Sequence, residues 1–386
     1  MRCVESEARY WKGEYVEAER AAREARKCED PKLGLRAMSA LIDALGPQAK
    51  YEEIGQLAGE IEERPEQPEL LNVWLGCKWN SAAVLVSAGQ FELRERTLAL
   101  LEAERERLDP ILVGRIESMK AHLAAETGRP ADQVVGFIRA TEFFERVGQR
   151  RAGMEAMYNA GAALMEIGRL EEAEAHARKL LAHAERMGLN RFLGPTFLLL
   201  SNILAYRVVL DEARSYGERA INWCSENRDQ YFGTFARLYL SVIEHLAGNC
   251  PTAERHARDA MGMLANNPAL LPFANALLAR SLCGQGKTVE ALSWAQNAYT
   301  RLETLGQVQD GEPTIRLALA ECLVASSDLA AAKEVIGKAV ERLCKQAGNI
   351  DKPEWRQSFL TRIPERRRIL EVARELGLSE LGLLDS

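Results

Sequence analysis

The chain has 386 residues, with 50 basic and 56 acidic side chains, a formal charge of −6 and an apolar share of 47%. That mixture belongs to a folded, soluble chain rather than a disordered one. The sign of the charge argues against a nucleic-acid partner, because phosphates require a basic surface.

Taken from the N-terminus, Arg2, Glu5, Glu7, Arg9 and Lys12 break up the opening helix pattern and exclude the apolar stretch of a signal peptide. No uncharged run is apolar enough for a membrane span. The eight cysteines come no closer than 22 residues (Cys322 and Cys344), so there is no C-x-x-C and no zinc-knuckle spacing. At that density they predict reduced thiols in a cytoplasmic protein.

A short cassette then returns along the chain: a small residue or glycine, a turn, and an acidic residue beside alanine. It reads Gly13-Glu14-Tyr15-Val16-Glu17-Ala18, later Gly168-Arg169-Leu170-Glu171-Glu172-Ala173, then Leu210-Asp211-Glu212-Ala213. Gly248 to Ala253, Gly286 to Ala291 and Ser327 to Ala332 follow, with weaker copies at Tyr51, Gly89 and Gly128. The marker positions Ala18, Ile54, Arg94, Gln133, Ala173, Ala213, Ala253, Ala291 and Ala332 define nine units with a mean spacing of about 39 residues. Within a unit, apolar residues such as Met154, Met157, Ala160 and Leu164 recur at helical spacing before the turn. Leu170, Ala173, Ala177 and Leu180 form a second stripe after it. The turn glycine can take the left-handed conformation that ends a helix, and the alanines let two helix axes approach. No alternating β-branched run marks a strand. The pattern predicts an all-α fold: a right-handed solenoid of about nine helix pairs over residues 1–350, with capping helices in 351–386.

The fifth unit, with Met157, Ala160, Gly161, Leu164, Ala173 and Ala177, resembles a tetratricopeptide repeat. The sixth (Phe197, Leu200, Leu204, Ala213, Gly217) and the eighth (Asn275, Leu278, Leu282, Ala291, Ala295) are similar. The period departs from the family's roughly 34 residues, being nearer 40. Such long-period arrays resemble those that follow kinase or NTPase domains in large bacterial regulatory proteins. The resemblance implies a non-catalytic scaffold or sensor in signalling, with a protein or peptide ligand in the concave groove and an upstream kinase or NTPase domain. An alternative is the regulatory array of a transcription regulator whose DNA-binding or catalytic domain lies outside this chain. Counting back from each turn places Trp79, Asn80, His122, Tyr158, Asn159, Met165, Asn202, Tyr206, Phe235, Tyr239, His245 and Phe273 on the inner face. Rings supply contact area and asparagines grip peptide backbone. The lysine–asparagine carboxylate clamp of chaperone-binding relatives is unsupported, since Leu198 precedes Asn202 by four residues.

Catalytic signatures fail one by one. Cys283-Gly284-Gln285-Gly286-Lys287-Thr288 ends like a phosphate loop, but Ser281 stands where its first glycine belongs. His176 and His183 share a helix face without a third ligand, so no metal site and no cofactor are expected. Adjacent acids such as Glu171 and Glu172 point to different azimuths. The chain reads as no enzyme. Arg362, Arg366, Arg367 and Arg368 form a basic cluster that reads as a polar face on the terminal helix, the alternative being an anion or acidic-partner site.

Overall fold

Helix starts are written locally in this chain. Asp30, Asp109, Asp229 and Asp328 each accept a hydrogen bond from the backbone N–H three residues on. Pro31 and Pro110 follow two of them at a position whose N–H has no helical partner to lose. The computed structural model describes residues 1–264, 269–306, 308 and 310–378.

The first helices are α1 (Arg2–Lys12), α2 (Tyr15–Ala25), α3 (Pro31–Leu45), α4 (Tyr51–Glu60), α5 (Leu71–Leu85) and α6 (Glu92–Ala103). Next come α7 (Pro110–Glu126), α8 (Pro130–Arg146), α9 (Arg150–Glu166), α10 (Leu170–Met187), α11 (Leu193–Tyr206) and α12 (Leu210–Asn227). The array continues with α13 (Gln230–Leu246), α14 (Cys250–Met261), α15 (Leu271–Gly284), α16 (Thr288–Leu305), α17 (Glu312–Ala325) and α18 (Leu329–Gly348). It ends with α19 (Pro353–Thr361) and α20 (Pro364–Glu375). The described residues contain no strand, and none of their helices is long and apolar enough to cross a membrane. The pairs from α1–α2 to α17–α18 are the nine predicted units, and α19–α20 follow them. Residues 379–386 of the expected capping segment lie outside the described residues.

Packing within a unit depends on small side chains. Ala18, Ala173, Ala213, Ala253, Ala291 and Ala332 are all 0% exposed, so the recurring alanine is the contact between the two helices of a pair. Ser6, Ser201 and Ser241 each donate from Oγ to the carbonyl of the alanine twelve residues on, at 2.7–2.8 Å. The same residue spacing thus repeats the same bond in three units. At the turns, Gly13, Gly89, Gly128, Gly168, Gly248 and Gly286 have positive φ. Ala49, Val208 and Ser327 hold that conformation in three other turns, at some steric cost.

The stack does more than lean on its neighbours. Asn349 donates to the carbonyl of Gly128, 221 residues away. Arg366 ion-pairs with Glu166 at 3.1 Å across 200 residues, and Arg362 with Glu171 at 2.6 Å across 191. Near the N-terminus, Trp11 stacks on Phe192 with centroids 5.8 Å apart, and the Pro47 carbonyl accepts from the N–H of Gln230 at 2.7 Å. An offset near 200 residues at both ends is the signature of a superhelix whose successive turns touch, with about five units per turn. The terminal arginines therefore act differently from the expected polar face. Arg362 and Arg366 clasp the preceding turn, while Arg367 pairs with Glu371 on its own helix.

Candidate functional site

The first helices each pack one side against the alanine stripe of their second helix and present another side to the inside of the superhelix. Coiled through about two turns, their inner faces enclose a groove of about 1150 Å³. Its lining comes from α3, α5, α7, α9, α11, α13 and α17, and from α18 and α20 of the returning turn.

Eight of the ten expected groove residues line it: Trp79, Asn80, His122, Tyr158, Asn159, Asn202, Phe235 and Tyr239, together with Met165. The structure places Tyr206 and His245 outside the lining, and Phe273 as well. Tyr206 is half-buried at the end of α11 beside Glu365 and Glu166. His245 lies six residues beyond Tyr239 on α13, a rotation of about 240° that carries it off the inner face. There it sits near Arg280 and Glu321, and burial holds its imidazole down at about 4. Phe273 packs under the groove, edge-on to Tyr239 with centroids 5.9 Å apart.

The floor is aromatic. Tyr158 meets Phe232 edge-on at 6.0 Å, Phe232 meets Tyr231 at 4.9 Å, and Tyr231 meets Phe235 at 5.2 Å. Asn80 donates to Ser39 Oγ at 2.9 Å. Asn202 is 5% exposed, and its Oδ1 accepts no hydrogen bond. A buried acceptor left unpaired costs about 1–3 kcal/mol, so this carboxamide is a standing invitation to a donor. His122 packs edge-on against Phe137, and burial with nearby Arg94 keeps it well below the usual histidine range.

Charged residues that sequence counting missed flank this floor. On one side Arg115 lies over Trp79, Arg151 over Trp11, and Arg191 over Tyr10, Trp11 and Phe192. Asp43 is close to Arg115 and Arg191, and burial pushes its carboxyl up to about 7 against their pull. On the other side Asp310 accepts from Tyr239 Oη and from the Gly311 N–H, each at 2.7 Å. Burial, with Glu166 adding repulsion, raises Asp310 to about 7. The one sequence signal for Asp310 was Asp310-Gly311-Glu312-Pro313, a helix start. Arg191 carried none, because the Tyr10 and Trp11 rings it covers sit one superhelical turn away. Among the described residues no group of three histidines, cysteines or acids is arranged to hold a metal.

These shifts have a measurable consequence. Asp43 is ordinary in the unfolded chain, near 3.9, and about 7 when folded. The folded state therefore binds the proton more tightly between those values, and stability from this group is lost progressively as pH rises from about 4 to about 7. Asp43→Asn is expected to raise Tm by roughly 2–4 °C more at pH 8 than at pH 5, with the gain vanishing only near about pH 3. His122 and His245 titrate in the opposite sense, so the difference between variant and wild type, read by differential scanning fluorimetry, is the test. A constant difference across pH would remove Asp43 as the titrating group.

No protein-family model matches the chain, and no curated protein does. Solved structures do. A Rap protein complexed with competence and sporulation factor superposes with a TM-score of 0.59 at 14% identity, covering 91% of this chain and 100% of its own. The Rap conjugation gene regulator of plasmid pLS20, in complex with the Phr* peptide, gives 0.52 at 12% identity over 90% and 98%. The quorum sensor NprR from B. thuringiensis, in its apo form, gives 0.52 at 12% over 89% and 97%. The likeness is one of fold: the chain is an all-α solenoid of tetratricopeptide type along nearly its whole length.

Proposed function

We propose that this protein is a non-catalytic regulatory receptor for a peptide, held extended along the aromatic floor of the groove. The observation that carries the reading is Asn202: a carboxamide buried in the groove wall with an unused acceptor. An extended chain presents backbone N–H groups at regular intervals, and one of them would satisfy Asn202 Oδ1 while Asn159 lies alongside on α9. Tyr158, Phe232 and Phe235 would cover the ligand's side chains. Two of the similar folds were solved with a peptide or factor bound, which supports the same use here. The eight cysteines are all free thiols, which supports action in the reducing cytoplasm.

Asn202→Leu separates binding from folding. Leucine nearly conserves volume and removes the orphaned acceptor, so the variant should be as stable as the wild type or slightly more so. Retention of a randomised heptapeptide library, read by affinity selection and mass spectrometry, should fall at least tenfold. Undiminished retention by the folded variant would remove the groove as the peptide site.

A further inference from the structure

The groove is electrically lopsided. On the α7–α9 side, Arg115 and Arg151 lie against tryptophan faces and make no ion pair within 4.0 Å among the described residues. Arg191 has Glu155 at 3.5 Å as its carboxylate, and its buried Nε has no partner. Arg115 and Arg191 lie near Asp43, Arg191 pairs with Glu155, and Arg151 shares the Trp11 ring with Arg191, so the guanidinium donors outnumber the carboxylates. A carboxylate is the group that two or three converging guanidiniums bind best.

On the α13–α17 side the imbalance reverses. Asp310 is held by two neutral donors, Tyr239 Oη and the Gly311 N–H. The nearby cations are committed elsewhere: Arg366 to Glu166, Arg316 and Arg342 to Glu312, and Arg280 to Glu321. Glu166 and Glu365 add negative charge around Asp310. An ammonium or guanidinium would complete this end. Asn202, with its vacant acceptor, lies in the same groove lining as both ends.

We infer that the groove accepts a peptide in one direction only, with a ligand carboxylate on Arg115, Arg151 and Arg191 and a ligand cation on Asp310. The inference rests on the peptide reading above and specifies its ligand class: a peptide carrying opposite charges at its two ends. The carboxylate can be the α-carboxylate or an acidic side chain, and the cation the α-amine or a basic side chain. The floor from Tyr158 to Phe235 spans at most ~16 Å along successive ring centroids, the reach of about five extended residues, so a heptapeptide is longer than the floor.

Four randomised heptapeptide libraries test this on the full chain: both ends free, C-terminally amidated, N-terminally acetylated, and doubly capped. Free peptides should be retained about tenfold better than doubly capped ones if the termini supply the charges. If side chains supply them, capped peptides should be retained with acidic residues enriched near the C-terminal end and basic residues near the N-terminal end, or in the mirror order. Either result supports the inference. Arg151 is exposed, so Arg151→Gln folds; it should erase the preference for the carboxylate and keep that for the cation. Asp310→Asn should do the reverse. Retention that ignores capping and charge, or variants that each erase the other preference, overturns the inference while leaving the peptide reading intact. If none of the four libraries is retained, the peptide reading falls and the inference with it.

Discussion

Gly168→Ala is expected to lift the last two helices off the superhelix while leaving its helix content intact. Gly168 has φ +83°, a conformation that costs an alanine about 1–2 kcal/mol. Its Cα also faces the carbonyl of Ser358 on α19: an added Cβ would collide with the oxygen and fall 2.8 Å from the carbon. Neither atom is a flexible side-chain end, so α19 must move. The movement breaks the pairs from Arg366 to Glu166 and from Arg362 to Glu171, because they share this contact. Arg366→Ala attacks the same clasp by subtraction. It deletes donors to the backbone carbonyls of Glu166 and Phe359 and the cation over the Phe359 ring, a loss of about 1–3 kcal/mol. One variant adds bulk and the other removes charge, yet both should raise amide exchange across residues 353–375 by hydrogen–deuterium exchange. Both should also weaken peptide retention, since Phe359, Arg366 and Ile369 line the groove from the returning turn. Unchanged protection in α19 and α20 would mean that the clasp contributes nothing in solution.

This clasp marks the boundary of what the amino-acid sequence discloses. Within one unit the fold is legible, since helix spacing, the buried alanine and the turn glycine all lie inside about 40 residues. The serine bond from Ser201 to the Ala213 carbonyl belongs to the same local pattern. Three turns without glycine, at Ala49, Val208 and Ser327, were still locatable from the acidic residue that follows. The inner face was legible for Trp79, Tyr158 and Asn202, where a first helix runs straight past the axis. It failed toward helix ends such as His245, where the azimuth has rotated away. Contacts between turns leave no periodic trace. Arg191 meets Tyr10 and Trp11, and Arg366 meets Glu166, through the pitch of the superhelix, which sums small rotations over five units. The charged ends of the groove are built from such contacts or from single residues between helices, so Tyr158 and Phe235 of the aromatic floor were named in advance, while Tyr231, Phe232 and the groove's polarity were not.

Gly311→Ala should damage stability and the Asp310 end of the groove together. Gly311 caps α17 with φ +79°, and its N–H holds Asp310 Oδ1. An added Cβ would run into the ring of Phe273, already 2.7 Å from Cε2 and nearer to two other ring carbons. Phe273 is 2% exposed and supports Tyr239 edge-on, so it has little room to retreat. Adding backbone strain of about 1–2 kcal/mol to overpacking of about 1–3 kcal/mol makes this a severe substitution for one methyl group. Tm should drop by several degrees, and retention of peptides with a free amine or basic residue should fall further than that of peptides without one. Phe273→Leu separates the two causes. Alone it costs stability through lost ring contacts, but combined with Gly311→Ala it vacates the space the methyl group needs. The double variant should therefore melt above the value expected from adding the two single losses, with the left-handed strain as the remainder. Strict additivity would show that the ring is no obstacle and that the backbone conformation of Gly311 carries the whole effect.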